Sequence, residues 1–272
     1  KKKWAKLEAR IAALPAPAQE MAMLGLQKVV DYQDVKYGAQ YLDMVEQVAA
    51  LDAEPYDMTS NAAKYCARAL CYDDLIRVAD IKTRATRMDR VKGEVAVQDG
   101  QVLMLTEYFH PRFEEFATTL PRRIGRWVQS RKRFEAWYGR NLDKGRRIRT
   151  DSIRGFLMLW TVSSLRPMRR RLLRHQSEMD HVDAWFAKVL ETAKTDRALA
   201  AELLANYRLI KGYSDTHARG LSKFARVMEA LDMLKGRDDA ADWMRRLRTA
   251  ALDDVKGEKL DGALATVRSF AG

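Results

Sequence analysis

The stretch A-Q-E-M-A-M-L-G-L-Q-K-V-V-D-Y-Q-D-V-K-Y-G-A-Q-Y-L-D-M-V-E-Q-V-A-A, residues 18–50, decides the fold class. Its apolar residues Met21, Leu24, Val29, Tyr32, Val35, Tyr41, Leu42, Val45 and Val48 recur close to the helical period, which predicts a long helix. Lys2 to Leu14 reads as a shorter amphipathic helix, broken by L-P-A-P at 14–17. Downstream, a second long helix is expected to run from Thr59 or Ser60 to about Lys92, because either hydroxyl can accept a free backbone N–H at the start.

The same period returns nearly to the end. A helix opens at Pro111 and runs through Thr119, and Ser152 to Leu165 is a strongly apolar one. Pro167 suits the first turn of a long helix reaching about Thr195. Thr195 or Asp196 caps a helix ending near Ile210, with Gly212 as its terminator, and Ser214 or Asp215 opens one continuing to Leu234. Short helices over 238–253 and 259–270 complete the chain. The period changes to two only once. Glu94 to Val97, the turn Asp99-Gly100, and Val102 to Phe109 read as a β-hairpin, Asp-Gly supplying the positive φ angles of a tight turn. The expected fold is mainly α, a multi-helix bundle with one inserted β-hairpin at about 94–109.

With 272 residues and 47% apolar content the chain has ample core material, and a single helical domain over 1–272 is expected, any subdivision falling near 120 and 196. It begins at Lys1 without a methionine, as expected of a fragment or a processed chain. No run of eighteen apolar residues predicts a membrane span, and the N-terminal lysines precede no signal-peptide core. Two cysteines, Cys66 and Cys71, are expected to be reduced thiols, which points to the cytoplasm.

Charge is unevenly spread. Of the net +12, residues 121–174 alone hold seventeen Lys/Arg against three Asp/Glu, a local balance of +14, so the remainder sits at −2. A field of this kind attracts an acidic partner, a nucleic acid or an anionic surface. Trp127, Trp137 and Tyr138 interleave with Arg126, Arg131, Lys132, Arg133 and Arg140, followed by Arg146, Arg147 and Arg149. Aromatics among arginines stack bases while the cations follow phosphates, yet no helix-turn-helix, zinc-finger or RNA-recognition signature accompanies them. The alternative is tryptophans packed on a buried helix face beneath exposed arginines.

Two polar clusters stand out. Lys211 to Gly220, K-G-Y-S-D-T-H-A-R-G, follows an apolar run and puts Lys211, His217 and Arg219 beside Ser214 and Asp215 at a helix start. Backbone N–H groups and cations converging there would suit a phosphate-bearing anion; the same residues equally make an inter-helix corner. Asp73 to Arg84, D-D-L-I-R-V-A-D-I-K-T-R, places Arg77, Asp80, Lys82 and Arg84 among aliphatic residues. Arg77 is spaced to pair with Asp80 or Asp73, and a buried network joining this segment to the Lys211 corner is expected, with Asp31 and Asp34 as further acidic partners. Metal ligation is poorly supported: His175 and His181 lie six apart and His110 precedes Pro111 in a turn.

These two segments, with V-D-Y-Q-D-V-K-Y-G-A-Q-Y-L-D at 30–43 and T-E-Y-F-H-P-R-F-E-E at 106–115, resemble the C-terminal helical extension of the indolepyruvate oxidoreductase beta-subunit family, found also in fused indolepyruvate:ferredoxin oxidoreductases. The resemblance covers most of the chain and implies the C-terminal part of a larger subunit. It implies a complex that oxidises aryl 2-oxoacids with thiamine diphosphate, Mg and iron–sulfur clusters and passes electrons to ferredoxin. Those cofactors would belong to a thiamine-diphosphate-binding catalytic subunit or domain. A four-iron cluster needs four closely spaced cysteines, and this chain has two. Nor is there a G-x-G-x-x-G, a P-loop or a thiamine-diphosphate motif. The resemblance thus implies a non-catalytic accessory role: assembly, substrate or coenzyme access, or acceptor docking, with Arg126, Arg131, Arg133, Arg146, Arg147 and Arg149 meeting the partner. A nucleic-acid-binding helical protein using 121–174 is the alternative.

Overall fold

The computed structural model describes residues 2–96, 98, 101, 103–109, 112–142, 145–212, 214–253 and 257–271. Its first helices are α1 (Lys2–Ala12), α2 (Ala16–Tyr32), α3 (Val35–Ala49), α4 (Asp57–Leu70), α5 (Leu75–Thr83) and α6 (Ala85–Glu94). Strand β1 (Thr106–Phe109) is followed by α7 (Phe113–Thr118), α8 (Arg122–Gln129), α9 (Lys132–Asn141) and strand β2 (Arg146–Arg149). Then come α10 (Ile153–Ser163), a 3-10 helix Arg166–Arg171, α11 (Leu173–Ala193), α12 (Arg197–Ala205) and a 3-10 helix Asn206–Leu209. The chain closes with α13 (Ser214–Glu229), α14 (Leu231–Leu234), α15 (Ala240–Asp253) and α16 (Glu258–Ala271). The fold is mainly α, a multi-helix assembly with one two-stranded antiparallel element among the described residues.

That element is built differently from the local hairpin expected at 94–109. Glu94 ends α6, and the Asp99-Gly100 turn lies outside the described residues. Among the described residues of the two expected strands only Thr106–Phe109 is a strand, β1, and its partner is β2 far downstream, in the register Glu107↔Ile148 and Tyr108↔Arg147. Alternation marks a strand but carries no information on which strand it pairs with.

Three predicted long helices are likewise broken. The 18–50 run divides at Gln33-Asp34, where the Asp34 carboxylate accepts the Tyr37 N–H at 2.8 Å and caps α3. The 59–92 run divides into α4, α5 and α6: Asp74 caps α5 through the Arg77 N–H at 2.6 Å, while Thr59 donates to Asp52 and caps nothing. The 167–195 run starts as a 3-10 helix and becomes α-helical only past Leu172. Apolar residues keep their period across each cap, so the period alone hides the breaks. Asp196 caps α12 as expected, and Ser152 caps α10.

The chain divides into two compact units, one of Lys1–Tyr72 with Asp180–Gly272 and one of Asp73–Met179, with boundaries away from 120 and 196. In the first unit, α4 presents a run of small buried residues, Ala62, Ala63, Cys66, Ala67 and Ala69, and packs against α2, α3 and α12. Small side chains let helix axes approach closely. Buried polar groups are satisfied on carbonyls: Tyr37 Oη donates to Leu70 at 3.0 Å, Tyr41 Oη to Ala63 at 2.8 Å, and Trp185 Nε1 to Leu203 at 3.0 Å. Cys66 and Cys71 are free thiols, and burial pushes the Cys66 thiol well above its ordinary pKa.

Gly25 fits this core because it lacks a side chain. A Cβ there would strike the Tyr41 phenol and sit 3.0 Å from the Ala63 carbonyl oxygen. Gly25→Ala is expected to destabilise the protein by about 1–3 kcal/mol through overpacking, despite alanine's better helix propensity. The readout is a lower urea midpoint at unchanged slope.

In the second unit, α10 lies on α5 and β2, with Ala79, Ile148 and Leu159 forming a small core flanked by Val162. A separate aromatic cluster holds α7 to α9, with Phe113 and Phe116 ring centroids 5.7 and 5.3 Å from that of Tyr138. Two ion-pair groups tie the unit together. Arg169, 2% exposed, donates from Nε to Asp74 at 2.8 Å, and Glu107 takes ion pairs from Lys82 and Arg87.

Candidate partner-binding surface

Arg77, Lys82 and Arg84 belong to this second unit and are held within it. Arg77 pairs with Asp80 at 2.9 Å, Arg84 with the same carboxylate at 2.6 Å, and Lys82 with Glu107. Burial alone would raise the Glu107 carboxyl, but hydrogen bonds and charge from Lys82 and Arg87 outweigh it and hold the carboxyl below its usual value. These cations lock β1 onto α5 and α6, which is a structural role. The Arg77 guanidinium donates to Asp80, as its spacing suggests, while its backbone N–H donates to Asp74.

Lys211 lies in the first unit, in an open cleft of about 520 Å³ lined by Arg68, Arg208, Lys211, Thr249, Leu252 and Asp253. The sequence missed Arg68 and Arg208, which sit on distant or differently phased segments. His217 is buried in α13 and Arg219 is exposed, and neither lines the cleft. The side chains of Ser214 and Asp215 lie outside the described residues. Arg68 Nη2 and Nε donate to the Ile210 carbonyl at 3.1 and 3.3 Å, and Lys223 Nζ donates to Ala251 at 2.8 Å near the end of α15. Cations that gather where helices present their carbonyl ends are favoured by the helix dipole without any bound anion. The cleft lies where α4, the second 3-10 helix and α15 meet.

The arginine-rich segment carries the distinctive surface. Trp127 and Trp137 are 58% and 45% exposed, so they do not pack beneath the arginines as expected; Phe113, Phe116 and Tyr138 fill that core. Arg131 stacks over the Trp127 ring at 5.1 Å, and Arg147 over Tyr108 at 5.5 Å. Arg126, Arg131, Arg133 and Arg147 are exposed and form no ion pair with a described residue. Arg149 is occupied by Asp151 at 2.5 Å, and the Arg146 side chain lies outside the described residues. Of the sixteen large apolar side chains exposed among the described residues, fourteen belong to the second unit. Exposed apolar surface together with cations that pair with no described residue makes this unit the candidate contact surface.

His175 stands at the base of this segment, buried, and its pKa is pushed down to about 4 by burial and then by Arg170, Arg122 and Arg169. In the unfolded chain the imidazole takes its proton near pH 6.5. Unfolding therefore takes up a proton between those values. The histidine's stability contribution is full above about pH 6.5, falls as pH drops through the window, and levels off below about 4. His175→Gln is expected to flatten that part of the profile of urea midpoint against pH.

Among the described residues no group of three or more His, Cys, Asp or Glu is placed to hold a metal ion, and no helix is long and apolar enough to cross a membrane. His110 and Pro111 lie outside the described residues. No curated protein and no solved structure matches the chain. A family model does match over residues 18–230, most of both units, and the chain belongs to that family, described as a family of unknown function (DUF6537).

Proposed function

We propose that this chain is a non-catalytic helical accessory module of a thiamine-diphosphate and iron–sulfur 2-oxoacid oxidoreductase complex of the indolepyruvate type, and that its second unit docks an acidic electron-acceptor protein. The observation that carries docking is the exposed arginine surface of residues 121–174, with Trp127 and Trp137 open between unpaired guanidinium groups. The oxidoreductase setting comes from the four sequence segments that resemble that family. Thiamine diphosphate, Mg and the iron–sulfur clusters belong, on this view, to the catalytic partner subunit or domain, and the complex works in the cytoplasm.

Binding of an acidic ferredoxin to the chain, measured across ionic strength, tests the docking. Affinity is expected to be highest at low salt and to fall steadily as salt screens the arginines. No binding at low salt, or binding indifferent to salt, contradicts it. The open tryptophans also favour a second function, single-stranded nucleic-acid binding by stacking and phosphate contact. A gel shift with single-stranded DNA at low salt separates the two, since non-specific affinity is strongest there.

A further inference from the structure

Helix α10 carries apolar residues on two opposite sides yet is covered on one. Leu159, with Val162 beside it, packs on Ala79 and Ile148. At 3.6 residues per turn, Ile153, Leu157 and Trp160 fall on the opposite side, and they are 79%, 50% and 53% exposed. Met158, Leu165 and Met168 extend the exposed apolar area. A helix with apolar residues on two opposite sides has one more apolar face than its packing on α5 and β2 covers.

We infer that the outward face of α10 is the apolar centre of the docking surface, and that its occupant is an acidic protein surface with an apolar patch of its own; this extends the docking function above and rests on it. Charge selects the occupant. Arg154 flanks the outward face, exposed and without an ion pair to a described residue. A second copy of this chain would bring like charges together. Within 121–174, fifteen of the seventeen cations are Arg, whereas the rest of the chain has sixteen Arg and sixteen Lys. Arginine forks onto carboxylates and is enriched where proteins meet, while lysine is depleted there.

Apolar anchors hold a complex once formed, and rim charges govern the encounter, so the two parts separate kinetically. The test is association and dissociation of an acidic ferredoxin on the immobilised full chain at several salt concentrations. The variants are Leu157→Ser with Trp160→Ser, Ile153→Ser alone as a milder change, and Arg131→Glu with Arg133→Glu, each first checked for unchanged helical circular dichroism. The α10 double variant is expected to dissociate about tenfold faster or more, with association and its salt dependence kept; Ile153→Ser should shift in the same direction. Unchanged dissociation in both α10 variants, with association still slowed by the arginine reversals, overturns the α10 assignment and leaves acceptor docking standing. Failure of the native chain to bind ferredoxin removes both. Trp160-dependent binding to phosphatidylserine-containing vesicles or to single-stranded DNA, in place of ferredoxin, overturns the assignment in favour of that occupant.

Discussion

Asp74→Ala is expected to cost about 3–5 kcal/mol of stability, the range for breaking one side of a buried ion pair. Asp74 accepts Arg169 Nε at 2.8 Å and Nη2 at 3.2 Å, and its other task is to cap α5 through the Arg77 N–H at 2.6 Å. Arg169 is almost wholly enclosed, so losing the carboxylate removes a counterion from a guanidinium held away from water. Loss of the cap contributes about 1 kcal/mol of the damage. Asp74→Asn with Arg169→Leu keeps a capping oxygen and removes the charge, and is expected to be markedly more stable than Asp74→Ala. The check is urea unfolding of all three proteins. A loss below about 1 kcal/mol in Asp74→Ala, the value of an exposed pair, would show that the pair is not held in a dry interior.

The second large effect concerns the partner. Arg131→Glu with Arg133→Glu replaces two unpaired, exposed cations by anions on the Trp127 side of the surface. Electrostatic steering raises encounter rates by about 10 to 1,000-fold, and two reversals remove much of it. Ferredoxin reduction by the complex at low ionic strength should slow by about tenfold or more, and the gap between variant and native enzyme should close as salt rises. Reduction of a small neutral dye should be unaffected, because it needs no docking. Equal ferredoxin rates at low salt would sink the idea that these arginines guide the acceptor.

Helical content was legible because apolar residues at 3.6-residue spacing leave few other outcomes, and the cap Asp196 could be named because a carboxylate side chain stands just before an apolar run. The breaks at Asp34 and Asp74 were not seen, since both caps interrupt an apolar pattern that resumes in phase. Pairing of β1 with β2 depends on tertiary structure across the intervening helices, to which a local turn signal at Asp99-Gly100 gives no access. Trp127 and Trp137 show the limit most clearly. Their spacing fits a buried face, but the phenylalanines at 113 and 116 and Tyr138 occupy that core, leaving the indoles outside. The same holds for Ser152 to Leu165: composition showed an apolar helix, and only the fold shows that one side of it is open. Lys211 stands out for its neighbours in sequence, whereas its neighbours in space include Arg68 and Arg208, which lie far from it in phase or in the chain.

The most direct test of acceptor docking is aryl-pyruvate oxidation by the reconstituted oxidoreductase with and without residues 1–272, using a small dye and ferredoxin as alternative acceptors. Docking by this chain predicts that dye reduction survives its removal while ferredoxin reduction falls. Loss of both activities together would assign the chain to assembly or substrate access, and ferredoxin reduction that persists without it would contradict docking outright.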